Sequence, residues 1–239
     1  MKKLILAISS MFILAAAIAQ DKVVNDPNAQ VRNVSSFHGI SVATGIHLYL
    51  TQGNDEKVAV SADTKEYRDK IVTEVVNGVL KIYYDNNHNW YGNDNNHKNL
   101  RAYVSCKMLD ELRASSGAHV DVDGTIQSGN LALDFSSGAS FKGNVNVKGI
   151  KIDASSGAHS MISGTADEAR ASTSSGSRID AGSLVTNECD ADASSGGHIE
   201  VTVNKSFSAS ASSGGHIDYK GDASIKTINT SSGGKVSKK

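Results

Sequence analysis

The stretch Ser155-Ser156-Gly157-Ala158-His159 contains the unit that decides the fold of this chain. Its Ser-Ser-Gly triplet recurs seven times at intervals of 18 to 21 residues, with a mean of about 19. Seven recurrences with so little drift indicate an internal repeat in which each unit forms one coil of a stack. The repeated glycines are Gly117, Gly138, Gly157, Gly176, Gly196, Gly214 and Gly233.

The residues around each triplet alternate in polarity. Around Gly117, for example, Leu112, Ala114 and Val120 are apolar, and mostly polar residues stand between such positions throughout the repeats. Alternation with a period of two predicts strands with one buried face. A short strand cannot bury that face alone, so we expect like positions of successive coils to stack about 4.8 Å apart. The sequence therefore predicts an all-β fold, a right-handed parallel β-helix with coils of about 19 residues.

The Ser-Ser-Gly triplets are predicted to form the corners between strands. Glycine suits a corner that needs a positive φ or a close approach of the backbone. The serines are small enough to stack and can hydrogen-bond the local backbone. The residue after each glycine is always Ala, Ser or Gly, which indicates a narrow corner.

The chain before the repeats is β-rich but less regular. Asn77-Gly78 predicts a tight hairpin turn between two apolar runs. We expect residues 36–108 to be continuous with the solenoid and to close its upper end, because an uncapped end would expose unpaired strands. The repeats then fill residues 109–239, and residues 20–35 form an N-terminal extension.

Residues 1–19 carry the pattern of a secretory signal peptide. Met1-Lys2-Lys3 precedes a short apolar run that reaches Ala17-Ile18-Ala19, and this favours a cleaved signal over a membrane anchor. We therefore expect an exported protein that is periplasmic, at the outer surface or secreted, with no membrane span in the mature chain. The formal net charge of −1 gives no reason to expect nucleic acid as a partner. Cys106 and Cys189 are interpreted as two separate buried residues, although the spacing does not decide against a pair.

Several short motifs, taken in order, resemble the head GIN domain family of proposed autotransporter adhesins from Bacteroides-type bacteria. Gly45-Ile46-His47 stands where that family would carry a Gly-Ile-Asn-like triplet. The resemblance spans nearly the whole mature chain. It implies an exported β-helix with an adhesive role and without established catalytic residues. The motifs that carry it are Phe37-His38-Gly39-Ile40-Ser41-Val42, residues 44–53, Asn77-Gly78-Val79-Leu80-Lys81-Ile82, and Tyr103-Val104 with Leu109.

Outward positions two and four residues after the corner glycines hold the candidate metal ligands. If the coils stack in register, His198 and His216 lie one above the other, with Glu200 and Asp218 beside them. Imidazoles and carboxylates this close can hold a divalent transition metal. The alternative is a solvated ladder in which opposite charges offset one another. We favour the ladder here and expect no cofactor, because no deep pocket is predicted to protect these residues.

The polar segment 85–99 supplies a candidate for ligand recognition. Trp90 and Tyr91 form an aromatic pair among asparagines, a composition that suits stacking on a sugar with polar contacts around it. The alternative is that Trp90 packs against the body and fixes the loop. Both interpretations remain open at this point.

The sequence predicts a binding protein and not an enzyme. The Ser-Ser-Gly corners lack the strand-to-helix context of a nucleophile elbow. We expect a rigid β-helix surface presented to glycans or envelope components, in an adhesion-type role. One alternative is a carbohydrate-active β-helix enzyme, a lyase or hydrolase, suggested by the outward acids Asp134, Asp153 and Asp192. The other is a purely structural envelope protein that forms homo-oligomers.

Overall fold

The computed structural model describes residues 26–86 and 98–239. Strands make up 66% and helix 2% of the structure, so the predicted all-β class is confirmed. The segment read as a signal peptide, residues 1–19, lies outside the described residues, as do Trp90 and Tyr91.

The described part of the chain contains sixteen strands and one short helix. In chain order they are β1 Gln30–Arg32, β2 Gly39–Val42, β3 His47–Gln52, β4 Lys57–Ser61, α1 Lys65–Asp69, β5 Ile71–Val76, β6 Val79–Tyr84, β7 Arg101–Cys106, β8 Glu111–Ala114, β9 His119–Phe135, β10 Ser140–Ala154, β11 His159–Thr173, β12 Arg178–Ala193, β13 His198–Ala211, β14 His216–Lys220, β15 Ser224–Thr230 and β16 Lys235–Lys238.

The repeats stack as parallel coils. Strands β9 to β13 each pair in parallel with the next, β13 pairs with β14 and β15, and β14 pairs with β16. Residues pair one repeat length apart, as Ile152 does with Ala171. The solenoid has about seven turns of about 19 residues, and the predicted parallel β-helix is confirmed.

Each Ser-Ser-Gly corner is a tight turn with two consecutive residues at positive φ. At the third corner, Ser156 has φ 52° and Gly157 has φ 73°. Ala158 N–H donates to the Ser155 carbonyl at 3.1 Å, which is the arrangement of a type I′ turn. The Gly157 N–H also donates to the Ser175 carbonyl of the next coil at 3.1 Å. The corners therefore form a hydrogen-bonded column, and the left-handed serine is a feature that the sequence analysis missed.

Thr44 and Gly45 form an eighth corner on the same column. Their φ values are 58° and 69°, and the Gly45 N–H donates to the Ser116 carbonyl at 3.0 Å. Strands β2 and β3, on either side of this corner, pair in parallel with β8 and β9. The solenoid thus begins one coil before the first Ser-Ser-Gly triplet.

Antiparallel strands complete the N-terminal end of the stack. Strands β6 and β7 pair in parallel with β2 and β3. Strand β5 then folds back on β6 through the Asn77-Gly78 turn, where φ is 54° and 78°. Strand β4 pairs antiparallel with β7, and β1 with β4. These strands occupy edges that would otherwise be open to pairing.

The core fills the inside of the coils. Phe135 and Phe141 lie fully inside it with ring centroids 5.0 Å apart, and the later coils pack alanines together with isoleucine and valine side chains and Phe207. Cys106 and Cys189 are free thiols buried in different strands. Burial raises the pKa of Cys106 to about 11 and that of Cys189 to about 12, so both are neutral apolar fillers at ordinary pH.

The last coil is exposed at the C-terminal end of the stack. Ile225 and Ile228 occupy positions opposite Phe207 and Ala209 of β13, yet 43% and 42% of their surface is exposed. Beyond β15, strand β16 extends the stack by pairing in parallel with β14. No helix in residues 26–86 and 98–239 is long and apolar enough to cross a membrane.

Candidate functional site

One outer wall of the solenoid gathers most of its histidines, and we call it the histidine wall. It consists of two columns of side chains, two and four residues after the corner glycines, and each residue stands opposite its equivalent on the next coil. The first column is His47, His119, Ser140, His159, Arg178, His198, His216 and Lys235; the second is Tyr49, Asp121, Lys142, Met161, Asp180, Glu200, Asp218 and Ser237.

Contacts between histidine or arginine and aspartate side chains run along this wall, both between coils and within a strand. His47 Nε2 lies 2.7 Å from Asp121 Oδ2 on the coil below, and His159 Nε2 lies 2.8 Å from Asp180 Oδ2. Arg178 Nε donates to Asp180 Oδ1 at 2.6 Å. These side chains are arranged as in the solvated ladder that the sequence favoured over a metal site.

One place on the wall differs, because two imidazoles converge on one carboxylate. His216 Nε2 lies 2.9 Å from Asp218 Oδ1, and His198 Nε2 lies 3.4 Å from Asp218 Oδ2. The Asp218 side chain is only 8% exposed. One potential ligand atom from each residue falls within a span of 4.8 Å. The structure brings these three of the four candidate ligands together.

Glu200, the fourth candidate, is engaged elsewhere. Lys220 Nζ donates to its Oε1 at 2.7 Å and Lys239 Nζ to its Oε2 at 3.1 Å. These two ammonium groups hold the pKa of Glu200 below its usual value. Lys239 Nζ also lies 3.0 Å from Asp218 Oδ2, so its charge is shared between the two carboxylates.

The surroundings of the cluster favour a neutral His198 and an ionised Asp218. Burial, and after it the Arg178 guanidinium, lower the pKa of His198. Burial alone would raise the pKa of Asp218, but Lys239 and His216 hold it below the ordinary value. A neutral imidazole beside a carboxylate is the protonation state in which both groups offer lone pairs to a metal ion.

An aromatic cluster lies at the N-terminal end of the same wall. The rings of Tyr49 and Tyr103 are 5.2 Å apart with planes 13° from parallel, and His47 stacks on Tyr49 at 4.3 Å. Tyr49 is 37% exposed. The Tyr103 hydroxyl donates to Asp26 Oδ2 at 2.9 Å, and burial together with that bond raises the pKa of Tyr103 to about 12.

This cluster was not predicted from the sequence. Tyr49 stands four residues after Gly45, as Asp121 stands four after Gly117. Recognising Thr44-Gly45 as a corner would have assigned Tyr49 to the second column. Tyr103 joins it through the parallel pairing of β7 with β3. Trp90 and Tyr91 lie outside the described residues, so their role stays a prediction.

Two shallow grooves lie away from the wall. One has a volume of about 330 Å³ and the other about 490 Å³. The stacked acids Asp134, Asp153 and Asp192 line neither groove. Ser172 stands between Asp153 and Asp192 in their column. Polar side chains at the first groove include Asn146, Lys148, Thr165, Asp167 and Asn187.

Comparison with known proteins gives a family match and a shared fold. The model of the family described as "Putative auto-transporter adhesin, head GIN domain" matches residues 36–223. No curated protein matches the chain.

Several solved structures share the fold. A putative adhesin from Bacteroides fragilis aligns with a TM-score of 0.76 at 18% identity, over 88% of this chain and 96% of that one. A putative lipid binding protein from Parabacteroides distasonis gives 0.66 at 20%, over 90% and 98%. A putative adhesin from Parabacteroides merdae gives 0.65 at 15%, over 88% and 95%. At identities this low, the structural alignments show a common architecture alone.

Proposed function

This chain belongs to the family described as "Putative auto-transporter adhesin, head GIN domain", and from that premise we propose that it is a non-catalytic binding protein that holds glycans at the N-terminal end of its histidine wall. An adhesin-type family implies an exported or surface protein. The family and the structural neighbours carry the names of adhesins and binding proteins, not of enzymes.

The aromatic cluster is the observation that carries the proposal. An exposed tyrosine among polar and charged side chains suits a sugar, whose C–H groups pack against the ring while its hydroxyl groups meet the charged neighbours. Asp121 and Arg101, whose side chains are 49% and 33% exposed, stand next to Tyr49 and Tyr103 and offer an acceptor and a donor. The strands beneath are paired on both sides, so the platform is held before a ligand arrives.

Tyr49→Ala is expected to bind glycan at least about fivefold more weakly than the wild-type chain, because removal of an aromatic anchor at a binding surface typically costs more than about 1 kcal/mol. A glycan array with the mature chain identifies the ligand, and titration calorimetry then compares the variants. Tyr49 lies on the outside of the coil, so the variant is expected to keep its fold.

Tyr83→Ala is the matched control. Tyr83 is a partly exposed tyrosine on β6, which pairs with β2 before the corner and not with the histidine wall. It is expected to leave the affinity unchanged. Undiminished binding by Tyr49→Ala, or an equal loss in both variants, would refute the aromatic platform.

The exposed last coil favours a second candidate function, a structural envelope protein that associates with its own copies. Every residue of β15 is exposed, and Ile225 and Ile228 present apolar surface beside a strand edge that pairs with no other described strand. An edge of this kind is a template for a strand of a second copy.

Self-association is expected to be lost in Ile228→Lys, because a charge on an edge strand opposes pairing. Size-exclusion chromatography with light scattering measures the mass of both proteins over a range of concentrations. Met108→Lys, at an exposed position between β7 and β8 and outside any strand, is the control that adds the same charge. A wild-type chain that stays monomeric throughout would rule this function out.

A further inference from the structure

The imidazoles of His198 and His216 are directed at the same buried carboxylate. Their rings stand 5.1 Å apart on adjacent coils, in the register that pairs His198 with His216 and Glu200 with Asp218. Both approach Asp218 through Nε2. Strand pairing on both sides of His198 fixes the spacing of the two backbones, so the convergence does not depend on a flexible loop.

One atom of this cluster has an unsatisfied bonding capacity. His198 Nε2 is fully buried and has no hydrogen-bond partner among the described residues, although Asp218 Oδ2 is 3.4 Å away. Buried polar atoms without partners are rare and disfavoured in folded proteins. A cation between the imidazoles and the carboxylate would supply that partner.

We propose that His198, His216 and Asp218 form a binding site for a divalent transition-metal ion of the Zn²⁺ class. Two imidazole nitrogens and one carboxylate oxygen are a common donor set for zinc, with the fourth position left to water or another ligand. The present separations of up to 4.8 Å are wider than two ligands of one zinc ion, so the side chains close slightly around the metal.

Loading the site rearranges two basic neighbours. Arg178 Nη1 donates to His198 Nδ1 at 3.2 Å, which leaves that nitrogen unprotonated. Ligation through Nε2 moves the proton to Nδ1, so the Nη1 contact is lost while Arg178 Nε keeps its bond to Asp180. Lys239 leaves Asp218 to the metal and stays on Glu200. Lys239 is therefore a competitor of the metal ion.

The same three positions occur higher on the wall without the same geometry. His47, His119 and Asp121 are the equivalents of His198, His216 and Asp218. There His119 Nδ1 lies 2.5 Å from the Ser140 hydroxyl, and the Asp121 side chain is 49% exposed. Residue type and spacing alone do not make the site, because it also requires both imidazoles to turn toward a buried carboxylate.

The test is titration of the tag-free protein with Zn²⁺ by calorimetry, together with Co²⁺ as a spectroscopic probe. The wild-type chain is expected to bind one ion and to give the visible absorption of a tetrahedral Co²⁺ site. His216→Gln and Asp218→Asn are each expected to weaken Zn²⁺ binding at least about tenfold. Lys239→Gln is expected to strengthen it several-fold by removing the competing ammonium.

His159→Gln is the matched control, since His159 stands in the same column and pairs with Asp180 without a second imidazole opposite it. It is expected to leave Zn²⁺ affinity and the Co²⁺ spectrum unchanged. The proposal is overturned if the wild-type chain binds no Zn²⁺ and gives no Co²⁺ absorption. It is equally overturned if His159→Gln loses as much affinity as His216→Gln, or if Lys239→Gln weakens binding.

Discussion

Replacement of Phe135 with alanine is expected to lower the free energy of unfolding by about 3–5 kcal/mol. Phe135 is fully buried at the end of β9 and stacks on Phe141 of the next coil at 5.0 Å. Its neighbours in the same column are Ala114 above and Ala154 below, and neither can expand into the space left by the ring. Urea unfolding followed by circular dichroism measures the loss.

Phe135→Leu separates lost volume from lost aromatic character. It keeps most of the apolar volume and is expected to destabilise by less than about 1.5 kcal/mol. Val31→Ala, at a position that is 75% exposed, is expected to stay within about 0.5 kcal/mol of the wild type. If Phe135→Ala were no less stable than Phe135→Leu, the inside of the coil would not be packed as described.

The solenoid was predictable because its determinants are local. Ser156-Gly157 places two residues at positive φ, and the same pair at all seven Ser-Ser-Gly corners imposes the same turn once per coil. Between corners the alternation of polarity fixes which side chains point inward. Register follows from these two constraints together, since a slip of one residue would expose the whole apolar face.

The N-terminal end depends on pairings that are distant in sequence. Asn77-Gly78 identifies the hairpin of β5 and β6, but the position of β6 above β2 is decided by contacts that no local pattern reports. Thr44-Gly45 forms the same kind of corner as the Ser-Ser-Gly triplets, although it shares only the glycine with them. A search for the serine triplet therefore could not find the first coil.

For the candidate metal ligands, the backbone positions could be predicted from the sequence, whereas the side-chain contacts could not. Repeat spacing correctly placed His198, His216, Glu200 and Asp218 at adjacent rungs. Which carboxylate faces the imidazoles depends on side-chain conformation and on neighbours one coil away. The Glu200 carboxylate meets Lys220 and Lys239, whereas the shorter Asp218 stays beside the histidines.

Gly164→Ala is expected to lower the free energy of unfolding by about 3 kcal/mol, the upper end of the range for a strained backbone conformation. Gly164 lies inside β11 with φ 114°, which L-residues rarely adopt. A Cβ atom added there would stand 1.9 Å from the Val145 carbonyl oxygen of the preceding coil. Both coils must separate or the residue must change its φ, and either change breaks pairing with Val145 or with Leu184.

Gly138→Ala makes the same chemical change at a corner. Its φ of 72° is also positive, but a Cβ atom there would have no heavy atom within 4 Å. Only the intrinsic preference against a left-handed alanine remains, so the loss is expected to be about 1 kcal/mol. Urea unfolding measures the free energy of unfolding of both variants. The extra loss in Gly164→Ala is the cost of the steric contact between coils, beyond the cost of placing alanine at a positive φ. Equal losses would mean that the coils are not held against each other at Gly164, and that the strands there tolerate a side chain which the stack as described excludes.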